Sequence, residues 1–151
     1  MTRSSAGLVV VLTAILGTGV ALAVEDPIKE RKQLMKGNGE AVKGIVAVFK
    51  GEKPYDAEDA AKAMTEINKS LATFVTLFPK GSETGEDTAA KPEIWDDKAE
   101  FESKAKDLEE ATAKAAAAAT GGFDSFKVAF GDVGKACKAC HEKFRIKKEE
   151  K

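Results

Sequence analysis

Cysteine and histidine are scarce in this chain: 151 residues hold two cysteines and one histidine. So few thiols and imidazoles cannot complete a structural zinc site, which takes four ligands of these kinds. Strand patterning is missing too. No stretch alternates apolar and polar residues with period two, so the strand–helix framework of a thioredoxin-like dithiol site has no support. Charge is close to balance, with 24 Lys and Arg against 25 Asp and Glu, and gives no footing for nucleic acid. The apolar run from Leu8 to Val20 is short for a membrane span and is interrupted by Gly17 and Gly19.

The scarce residues stand together. Cys137-Lys138-Ala139-Cys140-His141 is a C-x-x-C-H motif, the pattern of covalent attachment for a c-type haem. Two thiols bond the porphyrin's vinyl groups while the adjacent imidazole reaches the iron as proximal ligand. On a helix the three side chains fall at i, i+3 and i+4 and share one face. A dithiol redox site, half a zinc site or a plain disulfide are the competing readings of C-x-x-C; the histidine position and the N-terminus favour haem.

That N-terminus carries Arg3, the apolar run and then Ala21-Leu22-Ala23, the three parts of a secretory signal peptide. The expected division is a signal peptide over residues 1–23, cleaved before Val24, and one domain over residues 24–151. A retained membrane anchor is the alternative. Export fits the motif, because bacterial c-type haem attachment happens outside the cytoplasm, and the expected location is the periplasm. Loss of Arg3 leaves acidic side chains in slight excess. The lysine-rich end from Arg145 to Lys148 reads either as a solvated helix end or as a docking patch.

Four amphipathic helices account for the rest. From Pro27 to about Lys50, Ile28, Met35, Val42, Ile45, Val46 and Phe49 recur at helical spacing behind an Asp26 cap. Gly37, Gly39 and Gly44 suggest that another helix or the haem approaches this backbone closely. Asp56 starts a second helix whose stripe runs Ala60, Met64, Ile67, Leu71, Phe74 and Phe78 to a stop at Pro79. Residues 79–91 form one long polar connection. Pro92 opens a third helix, with Trp95, Phe101, Ala105, Leu108, Thr112, Ala115 and Ala119 facing inward. Its alanine run reads equally as close packing or as low complexity. Gly121-Gly122 ends it. The fourth begins near Asp124 and carries Phe126, Phe130, Val133, Cys137, Cys140 and Phe144. The expected fold is all-α, an antiparallel four-helix bundle with the haem inside.

A signal peptide, four helices, an arginine on the first and C-x-x-C-H on the last together resemble the class II c-type cytochromes. That family includes cytochrome c′ and the low-spin cytochromes c-556. The resemblance extends through Arg31-Lys32-Gln33-Leu34-Met35-Lys36, Lys91-Pro92-Glu93-Ile94-Trp95 and Phe130-Gly131-Asp132-Val133-Gly134. It implies one covalent haem c on Cys137 and Cys140, with His141 as proximal iron ligand. It also implies Arg31 as partner to a haem propionate and Arg145 on the proximal side. Met35 takes the position facing the open side of the iron, and methionine occurs there in both subgroups. Met64 reads as core.

Two functions follow from the resemblance. With Met35 on iron, the protein is a single-electron carrier serving redox partner proteins. With Met35 unbound, the iron is five-coordinate and takes a diatomic gas, nitric oxide or carbon monoxide. The glycine-bearing segment after Met35 is the reason to put coordination first. An enzyme is not expected, since no nucleophile, base and orienting group remain once the histidine is assigned to iron. A homodimer through the first two helices is a further expectation, from the broad apolar face of Val42, Ile45, Val46, Val48 and Phe49; the bundle core is the other account of that face.

Overall fold

The computed structural model describes residues 26–85 and 87–147, so the signal-peptide reading lies outside the described residues. Five helical segments follow one another: α1 (Pro27–Phe49), α2 (Ala57–Phe74), α3 (Glu93–Asp96), α4 (Lys98–Ala119) and α5 (Phe123–Phe144). Asp26, Asp56 and Asp97 each cap a helix by accepting from the backbone N–H three residues on, at 2.9, 2.8 and 3.1 Å. Each bond satisfies a donor the first helical turn leaves without a partner. Gly122 turns the chain between α4 and α5 at φ 96°, a conformation open to glycine and strained for a side chain.

Short turns make α1 and α2 antiparallel neighbours, and likewise α4 and α5, while α2 packs on α4 to join the two pairs. The main core lies between them: Ile45, Met64, Ile67, Leu71, Leu108, Phe126 and Val133 all belong to one buried cluster. Ala115 and Ala119 are 0 % exposed and sit in that cluster, so the alanine run is a packed surface rather than filler. Small side chains there let α4 approach its neighbours. Met64 is 0 % exposed, in line with its reading as core.

A second cluster, Phe78, Ile94, Phe101 and Phe144, stands apart at one end of the bundle. It accounts for two departures from the sequence reading. The second helix ends at Phe74 rather than running to Pro79: Thr76 and Leu77 donate to carbonyls only three residues back, a tightened turn. That turn still delivers Phe78 to the cluster, with its ring 5.1 Å from Phe74. The third helix is broken in two at Asp97 (φ −130°, ψ 64°), which closes α3 and caps α4. In α3 the inward residue is Ile94, 3 % exposed, while Trp95 is half-buried and donates its indole N–H to the Pro79 carbonyl at 3.2 Å.

Of the two partners expected for the glycines of α1, a closely packed helix is not found among the described residues, while Gly39 borders an open space on the side of α5. A side-chain carbon placed at Gly37, Gly39 or Gly44 would meet nothing within 4 Å, so no described part of the chain approaches them closely, and α1 runs through all three unbroken.

Candidate functional site

Beside the second cluster lies a cavity of about 510 Å³, within the range of pockets that hold small ligands and cofactors. α1 contributes Arg31, Lys32, Met35 and Lys36 to its lining; α5 contributes Cys140, His141 and Phe144, followed by Arg145. Phe74, Phe78, Ile94 and Phe101 make an apolar floor, and residues Asp87 to Ala90 of the long connection close one side. Five of the six site residues read from the sequence thus border one space. Cys137 is not in the lining; it packs against the main core, one helical turn before Cys140, which packs against the smaller cluster.

Both thiols are free and half-buried. Burial raises the pKa of each, and for Cys140, with the neighbouring Cys137 adding to the effect, the value is pushed up to about 11. Neither is a thiolate at neutral pH. His141 is an exposed residue of the cavity rim, yet the packing around its ring lowers its pKa, and the charge of Arg145 lowers it further. Both effects favour the neutral imidazole, the form that binds iron.

Met35 is half-buried and touches both settings: it packs against the main core and faces the cavity. Arg31 is buried at 3 % exposure, with its guanidinium 4.6 Å from the centre of the Phe78 ring. Arg145 is exposed, and its backbone pairs with Ala90 across the cavity edge.

The aromatic floor escaped the sequence reading as a site. Phe74, Phe78, Phe101 and Phe144 all showed as stripe residues, and stripe position does not separate a residue facing another helix from one facing a cavity. Asp87 to Ala90 carry no periodic signal at all. Lys32 and Lys36, three before and one after Met35, could have been placed by helical spacing.

A family model described as Cytochrome C′ matches residues 26–145. The chain belongs to the cytochrome c′ family. The chain is 44 % identical to the cytochrome c′ of Rhodopseudomonas palustris, over 89 % of this chain and 91 % of that one. It is 37 % identical to a cytochrome c-556 of Agrobacterium tumefaciens, over 80 % of this chain and 98 % of that one. A solved cytochrome c′ from Rhodopseudomonas palustris superposes with a TM-score of 0.76 at 38 % identity, covering 82 % of this chain and 98 % of its own. Another similar structure is a nitric oxide complex of a variant cytochrome c prime from Alcaligenes xylosoxidans, with TM-score 0.73 at 34 % identity, covering 83 % and 100 %.

The fold is therefore the four-helix bundle of the cytochromes c′, and the cofactor is covalent haem c. The residues present fit that group. An apolar, aromatic-floored cavity suits a porphyrin plane, and a thiol and a neutral imidazole stand at its wall on consecutive positions of α5.

Proposed function

We propose that this protein is a periplasmic electron carrier whose single haem c is bound through Cys137 and Cys140, with His141 and Met35 as the two axial ligands. One observation carries the reading: Met35 from α1 and His141 from α5 border the same cavity. The haem, when bound, supplies a one-electron couple at its iron. The chain's own groups do the rest. His141 offers a neutral imidazole, and the soft thioether of Met35 offers a second donor. Both belong to long helices, so little moves when an electron passes. Phe74, Phe78 and Phe101 keep water from the site, and the cations Arg31 and Arg145 supply positive charge for the haem carboxylates. Export through a leader cleaved before Val24 brings the chain to the periplasm. No helix among the described residues is long and apolar enough to cross a membrane.

A second reading draws on kinship. One similar structure holds nitric oxide, and the family description is that of cytochrome c′. On this reading Met35 stays packed against the core and the iron keeps one position open for a diatomic gas. Absorption and electron paramagnetic resonance spectra of the haem-loaded protein and of Met35→Ala separate the two. Under the first reading the parent is low-spin, the variant turns high-spin, and carbon monoxide associates faster by about tenfold or more, the equivalent of one lost ligand bond of modest strength. A parent that is already high-spin, with an unchanged variant, removes Met35 from the iron and leaves the gas-binding protein.

Pairing of two copies through α1 and α2 belongs to the same proposal. These helices border a surface cleft of about 320 Å³ that includes Ile45 and Val48, and Val42, Val46 and Val48 are only half-buried. Sedimentation equilibrium of the haem-loaded protein is expected to give twice the monomer mass. A single monomeric species at high concentration removes the dimer.

A further inference from the structure

Arg31 makes contacts that a role toward the haem carboxylates does not require. Its two terminal nitrogens donate to four acceptors: Nη1 to the Leu77 carbonyl at 3.0 Å and the Ser82 hydroxyl at 3.1 Å, and Nη2 to the Ser82 carbonyl at 2.7 Å and the Thr88 hydroxyl at 2.8 Å. All four acceptors are neutral; among the described residues no carboxylate stands within ion-pair distance of Arg31, although the charges of Asp26 and Glu83 act on it from farther off. The guanidinium also lies near two rings, 4.6 Å from the centre of Phe78 and 5.6 Å from that of Trp95. A cation withdrawn from water to this extent persists only where its donors are met, and here they are met by one stretch of chain. The rigid planar fork fixes where each acceptor must stand.

That stretch leads into the cavity wall, of which Thr88 is a member. Its hydroxyl accepts from Arg31 and also from the Ala90 backbone N–H at 3.2 Å, so the grip of the guanidinium passes into the wall's backbone. The other end of the wall is held separately. Lys91 N–H donates to the Phe144 carbonyl at 3.0 Å and Ile146 N–H to the Ala89 carbonyl at 2.8 Å, tying the wall to the end of the helix that carries His141.

We infer that Arg31 is a positioning residue: it clamps the chain at Ser82 and Thr88 and so sets the wall of the haem cavity, apart from any contact with the haem carboxylates. The inference does not depend on whether Met35 binds iron.

Amide hydrogen exchange of the haem-loaded protein, read residue by residue with mass spectrometry, tests it. In Arg31→Gln the amides of Thr88 and Ala90 are expected to exchange at least about tenfold faster, the loss of charge-assisted bonds. Lys91, whose amide is held by the Phe144 carbonyl of α5, and Leu108 in the core change little. Arg31→Lys gives no rescue, because one ammonium cannot meet four acceptors set for a plane. Ser82→Ala is the gentler variant and needs no buried charge removed. The Ser82 hydroxyl reaches Thr88 through the guanidinium, so a roughly threefold acceleration at Thr88 and Ala90 is expected, and none when Arg31 is already Gln. Unchanged exchange at Thr88 and Ala90 in either variant overturns the clamp. So does a shift in reduction potential with the wall's exchange unaltered, which would assign Arg31 to the haem carboxylates alone.

Discussion

Cys137→Ser combined with Cys140→Ser is expected to abolish covalent haem: acid–acetone extraction removes all of it, and a denaturing gel shows no haem stain on the protein. The parent keeps its haem through both treatments. The reasoning is chemical rather than energetic. Thioether bonds survive acid and detergent, whereas a bond from an imidazole to iron is lost when the imidazole is protonated or the fold opens. Each single variant retains one thioether and stays stained, with an absorption band shifted by the vinyl group left unsaturated. The two cysteines are not equivalent, because Cys140 borders the cavity and Cys137 packs on the main core. Loss of stain from either single variant would show that one thioether cannot form without the other.

The largest effect on stability is expected at Phe126, far from the haem motif. This side chain is 0 % exposed, and its ring stands 6.0 Å from Phe49, 5.9 Å from Tyr55 and 5.8 Å from Phe130. It therefore joins α1, the turn before α2, and α5. Phe126→Ala removes the ring from a buried core that relaxes only partly around such a gap, at a cost of about 3–5 kcal/mol. Whole domains are stable by only about 5–15 kcal/mol, so the variant loses a large share. A thermal melt of the haem-loaded protein by circular dichroism is expected to shift down by about 10 °C or more. Val128, two positions on and 77 % exposed, supplies the control: Val128→Ala is expected to stay within about 0.5 kcal/mol of the parent. Equal shifts for the two variants would mean that the rings of Phe49, Tyr55 and Phe130 are not packed on Phe126 as described.

The haem motif was legible because its chemistry is local. Cys137, Cys140 and His141 need only helical spacing to share a face, and α5 provides it from Phe123 to Phe144. Met35, Arg31 and Arg145 were named through family resemblance, and all three border the one cavity. What Arg31 touches was not legible. Its acceptors lie 46 to 57 positions away along the chain, in a stretch with no periodicity to mark it.

The same division holds for the fold. The sequence by itself determined the helices, their aspartate caps and the stripe of each buried face, since these depend on residues within one or two turns of each other. Tertiary structure decided that α2 stops at Phe74, that the third helix breaks at Asp97, and that Ile94 rather than Trp95 turns inward. It also decided that residues Ala89 to Lys91 pair with the end of α5. Each of these outcomes follows from the second cluster of Phe78, Ile94, Phe101 and Phe144, whose members come from four separate parts of the chain and meet only after the helices have packed. No local pattern encodes such a meeting, because the burial that rewards it exists only in the folded state.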